Sequence, residues 1–433
     1  VVSTLLALLV ATSTAAEAHH HHGASSDGEG PESYVRLALK AHPSIAAGRL
    51  RAEAMQDRSD PAGALMDPVL SFGIQNLPYS PFSFRATPMT GLRFGLSQRL
   101  PWPGKRGLLS EATDLDAKAL MAGSAETANR LAASVRGVFY DIHFVDVAVD
   151  VINKNLRIID GFVEVADAKY RVGRGLQQDV LKARVVRGQL EERRTDLQRR
   201  RTALAVRLNS LMATKTPIEI PSLLAVPVNS LDFETQEKLQ ERAEHARPQL
   251  RQLNLAVAAA EKRRAHADKA ALPDFTVGLG YTFRTVDPAR DAIDGADFLS
   301  LSAAVNLPVW YAQKQGPLAS AAAKDVLALH RDREAVRLKI SEAVQSILHQ
   351  IPELLEQMEV YRTSIIPTTR QTLDADLIAY QVDKVDFLNL LDIEMRLLNF
   401  EVDYHRLHVE REKLIVRLAE AVGVSPVQLE RTE

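Results

Sequence analysis

Laid on itself at an offset of about 205–210 residues, the sequence repeats its landmarks in the same order. His42-Pro43 pairs with Arg247-Pro248, and Pro68-Val69-Leu70-Ser71-Phe72-Gly73 pairs with Pro273-Asp274-Phe275-Thr276-Val277-Gly278. Leu100-Pro101-Trp102 pairs with Leu307-Pro308-Val309-Trp310. Tyr170-Arg171-Val172-Gly173 pairs with Tyr380-Gln381-Val382-Asp383. Whatever the chain folds into, it must build one unit twice. Each half reads helix, two strands, very long helix, turn, helix.

The strands carry period two. Leu70, Phe72 and Ile74 alternate with Ser71, Gly73 and Gln75, and Leu92, Phe94, Leu96 and Leu100 alternate with Arg93, Gly95, Ser97 and Arg99. Phe275, Val277, Leu279, Tyr281 and Phe283 alternate with Thr276, Gly278, Gly280 and Thr282. Leu299, Leu301, Ala303, Val305 and Leu307 alternate with Ser300, Ser302, Ala304 and Asn306. Runs of about 9–10 residues have the length of a tilted transmembrane strand. A soluble sandwich with one wet face gives the same alternation, but four strands leave no second sheet to cover them.

The helices are the larger part. From Gly104 to about Lys169 there is no Pro, which at ~1.5 Å per residue allows a rod of roughly 100 Å. A second rod is expected over 317–379, with kinks or breaks at Pro352 and Pro367. Shorter helices are expected at 178–212 and 386–422. Leu388, Leu391, Met395, Leu398 and Val402 recur at heptad-like spacing and suit coiled-coil packing on at least one face. Residues 213–246, with Pro217, Pro221 and Pro227, read as a connector with room for short strand or helix pieces.

Charge and composition remove several classes. Lys and Arg total 53 against 55 Asp and Glu, so a polybasic nucleic-acid binder is excluded. There is no Cys, hence no disulfide, thiolate zinc site or Cys nucleophile. Of the 24 aromatic residues, 12 fall in 68–102 and 273–311, which hold only 10 of the 108 charged residues. Half of the aromatic residues are thus concentrated in the two strand-bearing windows, which hold 74 of the 433 residues.

At the start, a short apolar run leads into Ala16-Glu17-Ala18, the pattern of a signal peptide cut after Ala18. His19 to His22 read as a tag, a linker or a weak metal-binding tail. Beyond the leader no run of 18 apolar residues occurs, so no transmembrane helix is expected. The expected division is 1–18 leader, 19–32 N-terminal segment, 33–212 first repeat, 213–246 connector, 247–425 second repeat and 426–433 tail. Strands are placed at about 68–77, 90–100, 274–284 and 298–308.

Four lipid-facing strands cannot close a barrel alone, because their edges would expose unpaired backbone groups to lipid. Closed barrels need about eight strands or more. A cyclic trimer supplies twelve strands from this unit and stacks a ring of helices on the same axis.

With the duplication, Tyr170-x-Val172-Gly173 followed by Asp179-Val180-Leu181-x-Ala183-Arg184, and Tyr380 followed by Asp386-Phe387-Leu388-x-Leu390-Leu391-Asp392, the sequence resembles the TolC family of outer-membrane efflux channels over about 31–425. The run from Gln98 to Arg106 through Pro101-Trp102-Pro103-Gly104-Lys105 resembles the branch of CusC and CzcC, which serves heavy-metal exporters. The resemblance implies a mainly α protein with a membrane β part. It would be a trimer whose barrel lies in the outer membrane and whose helical barrel crosses the periplasm. The implied partners are a periplasmic adaptor, an inner-membrane resistance-nodulation-division pump and outer-membrane lipid, with no cofactor. Cargo would be heavy-metal cations, or alternatively drugs and other small molecules.

The resemblance also assigns candidate residues. Asp392 matches one position of an acidic ring, while Asn389 stands at the other. Asp179 and Tyr380 match residues of a closing hydrogen bond, and Lys384 and Asp386 lie in the same turn. Val172, Gly173 and Leu176 are candidates for adaptor contact, with an ordinary helix cap at Gly173 compatible with that role. Trp102 and Trp310 fit an aromatic belt at the membrane edge.

Other signals fail. Gly104-Lys105 lacks the phosphate-loop frame. His405 and His408 lack a clear third ligand, and Met66 and Met89 suit packing better than soft metal ions. No Ser-His-Asp arrangement stands out, so no enzyme is expected. The competing readings are a secreted coiled-coil rod and a periplasmic adaptor. The adaptor would need a lipoyl-like half-motif that is not found.

Overall fold

The computed structural model describes residues 30–80, 82–84, 87, 89–214, 216–222, 233–284, 296–382 and 384–429. The leader, His19 to His22 and most of the loop between the last two strands lie outside the described residues. Three short helices come first: α1 Pro31–Ala41, α2 Pro43–Asp57 and α3 Ser59–Gly63. Strands β1 Val69–Gln75 and β2 Gly91–Leu100 lead to α4 Lys105–Arg171 and α5 Gln177–Leu211. Then α6 Gln236–Ala246 and α7 Pro248–Asp268 lead to β3 Asp274–Arg284 and β4 Phe298–Asn306. Last come α8 Gln315–Val360, α9 Ile366–Gln381 and α10 Phe387–Val422.

Helix α4 has 67 residues, about 100 Å at the α-helical rise. Its buried line runs Val135, Val138, Ile142, Val145, Ile152, Leu156 and Ile159. Spacings of three, four and seven keep one seam facing the neighbouring helices. Burying each such side chain contributes about 1.5–3 kcal/mol. This seam joins α1, α5 and α10 in one core that extends to Tyr380 and Phe387. A second core gathers α6, α7, α8 and α10 around Val344, Ile347, Leu414 and Leu418. Helix α10 thus serves both cores. Its buried line is Phe387, Leu390, Leu391, Leu397, Leu398 and Val402, while Leu388 and Met395 are only half-buried.

The second rod differs from its sequence expectation. Helix α8 passes through Pro352 without a break. Ile351 and Leu354 are both buried beside it, and that packing carries the loss of one backbone hydrogen bond. A π-helical turn over Tyr361–Ile365 separates α8 from α9, immediately before Pro367. Its wider turn gives the proline ring room against the preceding carbonyls. The connector contains one such short helix piece, α6, whose Leu239 and Ala243 are buried in the second core.

The four strands form one antiparallel sheet in the order β1-β2-β3-β4. Register stacks like on like. Leu70 pairs with Leu96, Leu96 with Leu279, and Leu279 with Leu301. Phe72, Phe94, Tyr281 and Leu299 form the next row on the same face. The opposite face has Ser71, Gly95, Gly280 and Ser300 in one row. The period-two pattern of the sequence thus becomes an apolar face and a face of small polar residues.

Candidate pore and tip site

The apolar face has no cover within the protomer. Leu70 is 74% exposed, Phe72 66%, Leu299 72% and Leu301 86%. Aromatic rings knit it together: Phe72 to Phe94 at 5.1 Å, Phe94 to Phe283 at 5.8 Å and Tyr281 to Phe283 at 4.5 Å. Such pairs favour tilted and edge-on contacts over face-to-face stacking. Strands β1 and β4 are both edges, each with one unpaired side. A bare apolar face with two free edges calls for lipid on the face and further strands at the edges.

The sheet is fixed to the helices at one corner. Asp274 Oδ1 accepts from the Trp102 backbone N–H at 3.1 Å and from Lys105 Nζ at 2.8 Å, and Oδ2 accepts from Arg99 at 2.9 Å. Lys105 Nζ also donates to the Leu272 carbonyl at 2.7 Å. Gly104, at φ 86°, turns the chain from strand to helix in the left-handed region. A Cβ there would lie 2.5 Å from Lys269 Nζ. Trp102 stacks on Phe275 at 5.8 Å, whereas Trp310 is 68% exposed. The two Trp residues are equivalent in sequence and different in setting.

At the far end of the long helices lie two turns. Helix α4 ends with Arg174 N–H donating to the Lys169 carbonyl at 2.9 Å and Gly173 N–H to Tyr170 at 3.0 Å. Gly173 has φ 72°. This is a Schellman end with glycine in its left-handed position. Val172 and Leu176 are exposed on this turn. Helix α9 ends similarly, with Lys384 N–H donating to Ala379 at 2.9 Å.

Between the turns, Tyr380 is buried. Its ring lies 4.0 Å from Lys169 Nζ and 5.4 Å from the Phe387 ring, and its carbonyl accepts from Lys169 Nζ at 2.7 Å. Asp179, in the first turn of α5, is buried with Oδ1 lacking a hydrogen-bond partner. Asp386 precedes α10 and accepts through its carbonyl from Asn389 N–H at 3.1 Å. Asp386, Asn389 and Lys384 are exposed. Asp392 is exposed too, but its carboxylate accepts from Arg396 Nε at 2.7 Å. That contact partly offsets the acidic charge at this position.

Two features escaped the sequence reading. Glu394 sits in the buried line of α10 and is 1% exposed, with Oε2 unpartnered. Burial pushes its carboxyl up to about 7; Glu401 adds to this and Arg370 opposes it. An acid three residues before Leu397 and four after Leu390 was the available signal. The second is a cavity of about 310 Å³ between α4 and α10, lined by His143, Phe144, His405 and His408 among others. Burial lowers His408 to about 4, helped by Arg411, His405 and His143. Among the described residues no group of three His, Cys, Asp or Glu has the arrangement of a metal site.

No family model and no curated protein matches this sequence. Solved structures do. The outer-membrane channel OprN is 16% identical, with a TM-score of 0.74 over 92% of this chain and 90% of that one. CusC, studied for its folding and transmembrane channel formation, is 15% identical, with 0.74 over 94% and 96%. The outer membrane protein VceC of Vibrio cholerae is 16% identical, with 0.75 over 91% and 96%. At such identities it is the fold that is shared: this chain has the protomer fold of the TolC-family outer-membrane channels.

Proposed function

We propose that the protein is the passive exit duct of a tripartite efflux system. In this reading three copies join β1 of one to β4 of the next and close a twelve-stranded barrel in the outer membrane, with the long helices forming a conduit in the periplasm. The observation that carries it is the uncovered apolar sheet face with its two unpaired edges. Energy comes from an inner-membrane pump of the resistance-nodulation-division class, reached through a periplasmic adaptor. The turn at Val172, Gly173 and Leu176 meets the adaptor. Asp179, Tyr380, Lys384, Asp386, Asn389 and Asp392 form the aperture, with Asp179 and Tyr380 buried there. Trp102 and Trp310 lie at the membrane edge. The protein conducts and does no chemistry.

Two cargo classes are supported by different residues. The resemblance of Gln98 to Arg106 to the heavy-metal branch favours metal cations. The basic character of the polar strand face favours small molecules that are not cationic. Membrane fractionation with an unboiled gel tests the duct. The expected result is an outer-membrane species migrating as a trimer, and a soluble monomer would overturn it.

A further inference from the structure

Every charged residue within the four strands lies on the polar face. They are Arg93 and Arg99 on β2, and Asp274 and Arg284 on β3, three basic against one acidic. Three of the four are engaged. Asp274 is held by Arg99 and Lys105. Asp297, just before β4, accepts from Tyr281 Oη at 2.6 Å and from the Arg284 N–H at 3.0 Å. Arg284 Nε donates to the Ala296 carbonyl at 2.5 Å, and its guanidinium stacks 3.8 Å from the Phe298 ring. Arg93 is different. Among the described residues it has no ion-pair or hydrogen-bond partner.

Its surroundings make this charge prominent. Arg93 pairs in register with Gly73 on one side and Thr282 on the other. Its guanidinium lies over Gly280, where a Cβ would come within 3.3 Å of Nε. The neighbouring row is Ser71, Gly95, Gly280 and Ser300. No long side chain in that row screens or displaces the guanidinium. In a closed barrel the apolar face meets lipid, so this polar face lines the lumen.

We infer that Arg93 is a selectivity residue: repeated around the closed barrel, it forms a cationic ring that favours anions over cations at the outer end of the duct. This rests on the trimeric duct reading. A ring of like charges inside low-dielectric walls focuses its field across the lumen, and basic rings favour anions in other pores. The ring repels a free metal cation and admits neutral or anionic cargo. Screening sets its reach, about 10 Å at 0.1 M salt and about 30 Å at 0.01 M, so selectivity grows as salt falls.

The test is reversal potential under a KCl gradient in planar bilayers, at two ionic strengths, using the full-length trimer. Wild type and an Asp179→Ala, Tyr380→Phe background are both measured, so that a shut tip is not mistaken for a missing pore. The expected result is a chloride preference that falls severalfold in Arg93→Gln, inverts in Arg93→Glu and persists in Arg93→Lys. Intact trimers on an unboiled gel establish that each variant folds. Conducting trimers whose ion preference is the same in all four would overturn the inference and leave the duct standing. No conductance in either background would overturn the duct reading and this inference together.

Discussion

Glu394 is an acid built into an apolar seam, and its energetics follow from that position. Its carboxyl titrates near 7 in the fold against about 4.5 when free, because burial disfavours the charged form. The folded state therefore holds the proton more tightly than the unfolded state does. Stability from this group is fully present below about 4.5 and is lost as pH rises to about 7, by about 3 kcal/mol per protomer. Glu394→Gln, which keeps the shape and removes the charge, should raise the melting temperature at pH 8 and have little effect at pH 5. An equal shift at both pH values would mean that the carboxylate is compensated when folded. Arg370 is the available cation, but it pairs with Glu401 at 2.6 Å.

Each long helix depends on how its end is closed. The α4 turn requires a left-handed residue at 173, where nothing lies within 4 Å of an added Cβ. A substitution there is opposed by backbone strain alone, about 1–2 kcal/mol for a branched residue and less for Asn. Gly173→Val should speed limited proteolysis across 171–177 while leaving helix content unchanged, and Gly173→Asn should do so much less. Equal cleavage in the two would remove the left-handed requirement. Helix and strand spans were legible in the sequence because each rests on local periodicity. The four strands fall within about three residues of expectation at each end. The clamp on Asp274 was not legible, since Arg99 lies 175 residues away and only the folded sheet brings them together. The unbroken passage through Pro352 was equally hidden, because a proline's local cost is set against tertiary packing that spacing does not reveal. At the tip the sequence singled out the turn residues, yet the Asp392 to Arg396 contact and the burial of Glu394 emerged only from the packed helices.

At the scale of the whole molecule, the protomer is incomplete by its own physics, with an apolar sheet face bare and two strand edges open. The two faces should respond oppositely to charge. In the proposed barrel, Leu301→Lys puts an ammonium on the lipid side, at about 2–4 kcal/mol per copy if near the bilayer midplane. It should lower the yield of heat-resistant trimer sharply. Ala304→Lys, three residues on and facing the other way, should leave that yield near wild type. Equal losses would mean that both faces are packed against protein. The sheet order carries one more consequence, in time. Strands β2 and β3 are neighbours, but the chain between Leu100 and Asp274 carries the helices α4, α5, α6 and α7. At synthesis rates of about 5–20 residues per second, β2 waits roughly 10–35 s for its partner. The helices, built from local contacts, can form during that interval. For that long a greasy half-sheet is exposed beside a helical body that still lacks α8, α9 and α10, and whatever keeps the nascent chain from aggregating must hold β1 and β2 until β3 arrives.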